Sequence, residues 1–257
     1  MNYVISRSYY ILRVLLRLFH YFYHQKKLKC NSPNYDSLNQ VNSIVSWNLQ
    51  GLFCYLHQTK IDNIINELQI INSDVFCLQE VFEDELKETI IQRLSHTHPY
   101  YLHGNTDKKY YVGEDSGLLV MSKYKINFVK EVILPSVINA DKFANKSILY
   151  FQIGDLQLVT THLQSSNERI SEEHLQLILK ESPFTEYIIT GDLNHNEAEN
   201  ILNIPNNNQK RTCETNEILD YILPVNLKHS ITNTVLDIDI FDVSDHWPIQ
   251  SIITRNS

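Results

Sequence analysis

From Asn42 onward, the chain alternates short apolar runs rich in β-forming residues with segments of helical periodicity, and few folds accommodate that alternation. Apolar residues recur at helical spacing in 59–69, 83–94 and 171–180. The runs that predict strands lie at 43–47, 74–79, 116–122, 126–134, 147–153, 156–161, 187–192, 219–224, 230–238 and 247–254. Two consecutive runs are joined by Gly154-Asp155, which is a hairpin turn signal.

This order of elements favours an α+β fold. Strands joined by hairpins, mixed with strands joined through helices, predict two packed mixed sheets whose outer faces are covered by helices. We therefore expect a four-layer α/β/β/α sandwich. A chain of 257 residues can bury one substantial core. A content of 43% hydrophobic and 20% charged residues is typical of a globular protein.

Residues 1–29 form a hydrophobic and basic segment. Three arginines interrupt its apolar runs, so none reaches the ~20 residues that span a bilayer. On a helix, one face would carry Arg13, Arg17, His20, His24 and Lys27, and the other Ile11, Leu15, Leu18, Phe19 and Phe22. We expect a membrane anchor that lies in the lipid interface. A helix packed on the protein's own core and an uncleaved signal anchor are the alternatives.

Residues 30–41 are polar and predict a linker, which places the folded domain at 42–257. The formal net charge of −8 offers no general attraction for a polyanion, although bound cations or a local basic groove could offset it. The four cysteines show neither a CxxC pair nor zinc-finger spacing. Buried free thiols and a reducing compartment are therefore favoured.

Polar residues follow several predicted strands at the point where each strand ends. They are Asn48, Glu80, His162, Asp192 with Asn194, and Asp245 with His246. Each has an ordinary structural explanation by itself, as a turn residue, a helix cap or a core histidine. Together they predict one cleft that combines oxygen ligands for a hard cation, donors for phosphate oxygens and an imidazole that activates water.

Seven motifs support that interpretation because they occur in one characteristic order. They are SWNLQGL, DVFCLQE, DSGLLVMS, TTHLQ, ITGDLNHN, LDYI and SDHWPI. From about residue 42 to about residue 254 the chain resembles the endonuclease/exonuclease/phosphatase superfamily. The resemblance implies a metal-dependent phosphoric diester hydrolase that uses one Mg²⁺ ion, with Mn²⁺ as a substitute.

The resemblance also implies roles for the residues of the cleft. Glu80 would bind Mg²⁺ directly, with Asn48 beside it helping to place the metal and the phosphate. His246 would be the general base, held in the correct tautomer by Asp245. Asp192 would orient the attacking water.

Two further side chains would bind the phosphate. The resemblance implies that Asn194 and His162 donate hydrogen bonds to its oxygens as negative charge accumulates in the transition state. Asp220, in LDYI, matches another motif position. A role in the active cleft and a buried hydrogen-bonding role both remain open for this carboxylate.

Within the superfamily, the segments at 115–124, 141–153 and 161–164 are most similar to the neutral sphingomyelinase branch. That similarity implies a phospholipid substrate at a membrane surface, with Lys146 contacting the lipid phosphate or a nearby carboxylate. Ser147 stands where the family usually has glycine. No protein partner is predicted, and a membrane-associated location is expected.

Two other functions are alternatives. A nuclease or DNA-end-processing phosphodiesterase would use the same motifs, but residues 108–111 are the nearest approach to a basic, aromatic-interleaved stretch and are interpreted as a solvated loop. A non-catalytic membrane scaffold is disfavoured because Glu80 and His246 are both retained.

Overall fold

A computed structural model describes residues 40–52, 56–104, 114–205 and 210–255 of the chain. The predicted amphipathic segment at 1–29 and nearly all of the linker lie outside these ranges. So do the stretch at 108–111 and two of the four cysteines, Cys30 and Cys54. Among the described residues, no helix combines the length and the apolar character needed to cross a membrane.

The described residues form eleven strands and four α-helices. The strands are β1 (Ser43–Asn48), β2 (Val75–Gln79), β3 (Tyr100–His103), β4 (Leu119–Ser122), β5 (Ile126–Ile133), β6 (Ser147–Ile153), β7 (Leu156–His162), β8 (Tyr187–Asp192), β9 (Asp220–Val225), β10 (Ser230–Val235) and β11 (Ile249–Thr254). The helices are α1 (Gln58–Ile71), α2 (Asp84–Leu94), α3 (Glu168–Glu181) and α4 (Ala198–Leu202), with a 3₁₀ helix at Asn139–Phe143.

These strands build two mixed sheets, as the sequence predicts. The first has the order β10-β11-β1-β2-β4-β3, and the second has the order β5-β6-β7-β8-β9. Each sheet contains one parallel pair, β1 with β2 and β7 with β8. Because parallel strands end at the same edge of a sheet, each pair delivers the residues at its carboxyl ends to a common edge.

Alternation along the strands separates the core into three layers. In β1, Ile44 belongs to the core between the sheets, whereas Val45 belongs to the core shared with α1 and α2. In β6, Phe151 lies in the core between the sheets and Tyr150 in the core shared with α3. Two sheets packed together, each with helices on its outer face, confirm the α/β/β/α sandwich.

The strand predicted at 116–122 is shorter than expected, since β4 begins at Leu119. Gly117 has a positive φ of 67°, and a side chain there would collide with Phe82. Its carbonyl accepts a hydrogen bond from Val81 N at 2.8 Å. The residues immediately before β4 therefore form a buried turn. β3, α4 and the 3₁₀ helix were not predicted, because short elements carry little periodic signal.

Candidate active site

Three titratable side chains lie side by side at one edge of the second sheet. His162 pairs with Asp192 across β7 and β8, and Asp192 pairs with Asp220 across β8 and β9. All three residues are buried, with exposures of 4%, 2% and 0%. β7 and β8 end here, whereas the antiparallel β9 begins here. The row is therefore produced by strand register.

The first sheet contributes Asn48 and Glu80 at the ends of β1 and β2. The amide nitrogen of Asn48 donates to Glu80 Oε1 at 3.2 Å and to Asp192 Oδ2 at 3.0 Å. Asn48 thus joins the two sheets across the cleft. Its amide oxygen accepts from Gln50 N at 2.9 Å. In this arrangement Asn48 orients the two carboxylates, and its role in placing a metal stays a prediction.

Glu80 lies in an unusual backbone conformation with φ of 56°. The turn is held by hydrogen bonds on both sides, Leu49 N to Gln79 O at 3.0 Å and Val81 N to Gly117 O at 2.8 Å. A side chain at Gly51 would collide with the Glu80 carbonyl oxygen. A non-glycine residue at positive φ is costly unless its surroundings impose it, which is a common property of functional positions.

The loop that carries His246 is bonded to the end of β1. Ser244 Oγ donates to Asn48 O at 2.6 Å, and His246 N donates to Ser244 Oγ at 3.1 Å. The indole nitrogen of Trp47 donates to His246 O at 2.9 Å. The imidazole is therefore fixed relative to Asn48 and Glu80.

The carboxylate that orients His246 is Asp220, and this corrects the role expected for Asp245. His246 Nδ1 lies 2.7 Å from Asp220 Oδ2, with both side chains buried. Asp245 Oδ1 is 3.9 Å from the other ring nitrogen, beyond hydrogen-bonding distance, and its side chain is 40% exposed. The register of β8 with β9 brings Asp220 to the ring, where its buried carboxylate makes this hydrogen bond, so the structure places the residue at the cleft and in a buried hydrogen-bonding position at once.

Negative charge dominates the electrostatics of the cleft. Burial, followed by the neighbouring Asp220, raises the pKa of Asp192 to about 7. Burial also raises the pKa of Glu80, against the lowering effect of the hydrogen bond from Asn48. Burial by itself lowers the pKa of His246, but attraction and hydrogen bonding to Asp220 outweigh it and raise that pKa to about 11. The imidazole can act as a base only when positive charge offsets these carboxylates.

His162 differs from His246 because its neighbour is a cation. Burial, followed by the Lys146 ammonium, lowers the pKa of His162 well below its usual value, so the ring is neutral. Its Nε2 lies 3.1 Å from Lys146 Nζ, 3.6 Å from Asp192 Oδ2 and 3.9 Å from Glu80 Oε1. This neutral ring therefore faces both carboxylates.

Lys146 contacts a carboxylate, and its ammonium does not reach the open cleft. The ammonium lies 3.0 Å from Asp141 Oδ1, donates to Leu163 O at 2.6 Å and contacts His162. The residue is only 1% exposed. Its position beside His162 makes it a positioning group in this structure. Sequence reasoning missed Asp141, although the residue stands in the segment at 141–153 that resembles the neutral sphingomyelinase branch.

Asn194 is the last of the predicted site residues at the edge of the second sheet. Its backbone amide donates to Asp192 Oδ1 at 3.0 Å, and its side-chain nitrogen donates to Leu163 O at 3.1 Å. The side chain is partly exposed, unlike its neighbours in the row. Because an amide NH₂ carries two protons, a second proton is left to donate toward the cleft.

The residues present fit a divalent cation. Glu80 Oε2 and Asp220 Oδ1 are buried oxygens without hydrogen-bond partners. Asp192, Asp220 and His246 also place one ligand atom each within 4.8 Å of one another. Since His246 Nδ1 is bonded to Asp220, the unpaired oxygen of Glu80 is the better anchor for an ion. Hard cations prefer such oxygen ligands.

Residues 45–246 match the Endonuclease/Exonuclease/phosphatase family, and the chain belongs to this family. It is accordingly a metal-dependent phosphoric diester hydrolase, as the motifs predict. A comparison with curated proteins finds no match.

Three solved structures share the fold over most of the chain. Sphingomyelinase C from Streptomyces griseocarneus has 18% identity and a TM-score of 0.68, covering 84% of this chain and 100% of its own. A Staphylococcus aureus beta toxin mutant with bound magnesium ions has 19% identity and a TM-score of 0.66, covering 83% and 99%. Truncated TDP2 from Caenorhabditis elegans has 19% identity and a TM-score of 0.61, covering 83% and 97%.

Proposed function

We propose that this protein is a magnesium-dependent phosphodiesterase that hydrolyses sphingomyelin or a related phospholipid at a membrane surface, releasing a phosphorylated headgroup. One observation carries the proposal. The unpaired carboxylate oxygen of Glu80 and the hydrogen-bonded pair of Asp220 and His246 face a single cleft, with Asp192 between them.

His246 is the general base of the proposed reaction. Asp220 holds its Nδ1 proton, which leaves Nε2 as the atom that accepts a proton from water. Asp192 Oδ2, 4.0 Å from that nitrogen, accepts a hydrogen bond from the same water and orients it toward phosphorus. As the water oxygen bonds to phosphorus, the bond from phosphorus to the lipid oxygen breaks. The lipid alkoxide takes a proton from solvent, and His246 later releases its proton to solvent. When bound at Glu80, a divalent cation would polarise a phosphoryl oxygen and, through its positive charge, lower the pKa of His246 into the range of a base.

The phosphate is bound by neutral donors. Asn194 directs its free amide proton at one phosphate oxygen. Nε2 of His162 accepts from the Lys146 ammonium at 3.1 Å, so this ring would donate to a second phosphate oxygen through Nε2 only if substrate binding breaks that contact. Lys146 holds His162 through the same Nε2 that faces Asp192 and Glu80, and its buried ammonium adds positive potential near the phosphate. Neutral donors stabilise developing charge without carrying the desolvation cost of buried ions.

Two exposed aromatic residues support a lipid surface as the setting. Phe143 is 46% exposed at the end of the 3₁₀ helix that carries Asp141. Phe241 is 80% exposed in the turn that precedes Ser244, whose amide donates to Ile240 O at 3.1 Å. Both residues lie on segments that adjoin the cleft. With the amphipathic segment at 1–29, they would hold the cleft against the lipid interface.

The location follows as part of the proposal. We place the enzyme on a membrane that faces a reducing compartment. Cys77 and Cys213 are buried free thiols, which agrees with such a compartment.

The decisive experiment uses the full chain with Mg²⁺ and detergent micelles that contain sphingomyelin, phosphatidylcholine or lysophosphatidylcholine. Phosphocholine release, abolished by chelation and by His246→Ala, is the expected result. Plasmid nicking is measured in parallel. Nicking without phosphocholine release would show that nucleic acid, and not a lipid, is the substrate of this site. Failure of both assays would overturn the lipid proposal and the nucleic-acid alternative together.

A further inference from the structure

Thr212 lies outside the row of site residues, in the segment that precedes β9. The residue is completely buried. We infer that Thr212 is a positioning residue for the proposed reaction, because its hydroxyl and backbone join Asp220 to the loop that carries His246. The inference rests on the proposed function for its kinetic consequences but not for its structural ones.

The hydroxyl acts on Asp220. Thr212 Oγ1 accepts hydrogen bonds from Leu219 N at 2.9 Å and from Asp220 N at 3.0 Å. One oxygen thus satisfies two consecutive backbone amides at the first residue of β9. The Asp220 carboxylate is attached to the same residue as that amide. By fixing the position of the amide, the hydroxyl of Thr212 also fixes the position of the carboxylate.

The backbone of the same segment acts on His246. Trp247 N donates to Thr212 O at 2.8 Å, and Glu214 N donates to Asp245 O at 2.9 Å. Between these bonds, Cys213 and His246 form an antiparallel bridge. The residues on both sides of the imidazole are therefore bonded to 212–214.

The segment is also closed on itself, since Thr212 N donates to Glu217 O at 2.9 Å. Thr212 is the point at which the two sets of bonds meet. The 2.7 Å contact between Asp220 Oδ2 and His246 Nδ1 joins residues that are 26 positions apart. A displacement of either backbone lengthens that contact, and catalytic rates respond to such displacements by about 10²-fold per ångström.

Two substitutions separate the hydroxyl from the volume of the side chain. Thr212→Val keeps the shape but leaves two buried amides without an acceptor. Thr212→Ser keeps the acceptor and loses a methyl group. We expect Thr212→Val to lower kcat by about 10- to 100-fold with little change in KM, and Thr212→Ser to stay within about threefold of the wild type.

A second measurement does not depend on activity. In protein labelled with ¹⁵N-histidine, the proton that His246 Nδ1 shares with Asp220 gives a downfield resonance, assigned by its loss in His246→Ala. We expect this resonance to persist in Thr212→Ser and to shift upfield or broaden in Thr212→Val. Urea unfolding confirms that each variant is folded. If Thr212→Val does not fold, Thr212→Ala is used in its place.

The outcomes separate the two proposals. Wild-type protein that is inactive on all substrates overturns the proposed function, while the resonance still reports on Thr212. A resonance and a kcat that both remain unchanged in folded Thr212→Val protein overturn the positioning role of Thr212.

Discussion

The two sheets supply the cleft in different ways. At the edge of the second sheet, His162, Asp192 and Asp220 occupy neighbouring strands in regular extended backbone. At the edge of the first sheet, Glu80 lies one residue beyond β2 with a positive φ, and its side chain is 18% exposed. One half of the site is therefore built by strand register and the other by a turn.

The difference suggests a division of labour. A row fixed by strand register holds distances constant, which suits proton transfer between Asp220, His246 and water. A carboxylate at a turn, with one buried oxygen unpaired, suits the binding of an ion. Each half can be tested separately by substitutions that leave the other half intact.

The largest effect is expected from Asp220→Asn. Loss of the carboxylate that orients His246 should lower kcat by about 10³-fold, within the range of general-base contributions. Asp245→Asn, which changes the charge equally at a half-exposed position, should cost less than about 10-fold. Steady-state kinetics at saturating Mg²⁺ compares the two variants. A greater loss from Asp245→Asn would show that the second sheet does not orient the base.

The turn at Glu80, at the edge of the first sheet, is supported by a buried ion pair. Lys87 Nζ contacts Asp115 Oδ2, and Asp115 Oδ1 accepts from Gly117 N at 2.8 Å. The carbonyl oxygen of the same Gly117 accepts from Val81 N, next to Glu80. Lys87→Met should reduce the free energy of unfolding by about 3 kcal/mol, since it leaves a buried carboxylate unpaired. Urea unfolding measures the loss.

A double variant provides the control for that pair. Lys87→Met combined with Asp115→Leu removes both charges, so it should cost less than the sum of the two single substitutions. Additive costs would mean that the two charges do not stabilise each other.

Metal affinity tests the turn directly. Glu80→Gln should weaken Mg²⁺ binding by about 100-fold, roughly 2.7 kcal/mol, because an anionic oxygen ligand becomes a neutral amide. Isothermal titration calorimetry measures the affinity, and Glu85→Gln on α2 is the matched control at an exposed position. Equal affinities in the two variants would place the ion elsewhere, with Asp192, Asp220 and His246 as the next candidates.

The smallest effect concerns pH and involves histidines outside the cleft. Burial lowers the pKa of His98 and His103 beside the first sheet and of His174 beside the second, all below the ordinary value of 6.5. At these three positions the unfolded chain binds more protons below about pH 6.5, so their contribution to stability falls as the pH is lowered. The raised pKa values of Asp192, Glu80 and His246 act in the opposite direction. Each proton contributes at most about 1.4 kcal/mol per pH unit.

Urea midpoints at pH 7.5 and 5.5 measure this dependence. On acidification, His98→Gln should lose less stability than the wild type, because one buried neutral histidine is removed. An equal loss in the two proteins would exclude His98 as a source of the acid sensitivity.

Much of the architecture was predictable because periodicity reports burial. The period of two in β6 and the helical period of α1 both match the cores that these elements line. The error at 116–118 has a physical cause. Gly117 adopts a positive φ with no room for a side chain beside Phe82, but its neighbours Ser116 and Leu118 are buried just as the residues of a strand would be.

The sequence by itself indicated most of the polar residues that the structure brings together, with Asp220 left open and Asp141 missed, because a polar residue that ends a buried strand must meet solvent, an ion or another polar group at the sheet edge. Only the tertiary structure decided which of them touch. Asp245 adjoins His246 in the chain, yet Asp220 binds the ring, Asp141 binds Lys146, and Thr212 supports Asp220. Pairings of this kind depend on strand register and loop path, which are set by long-range packing that local sequence patterns do not encode.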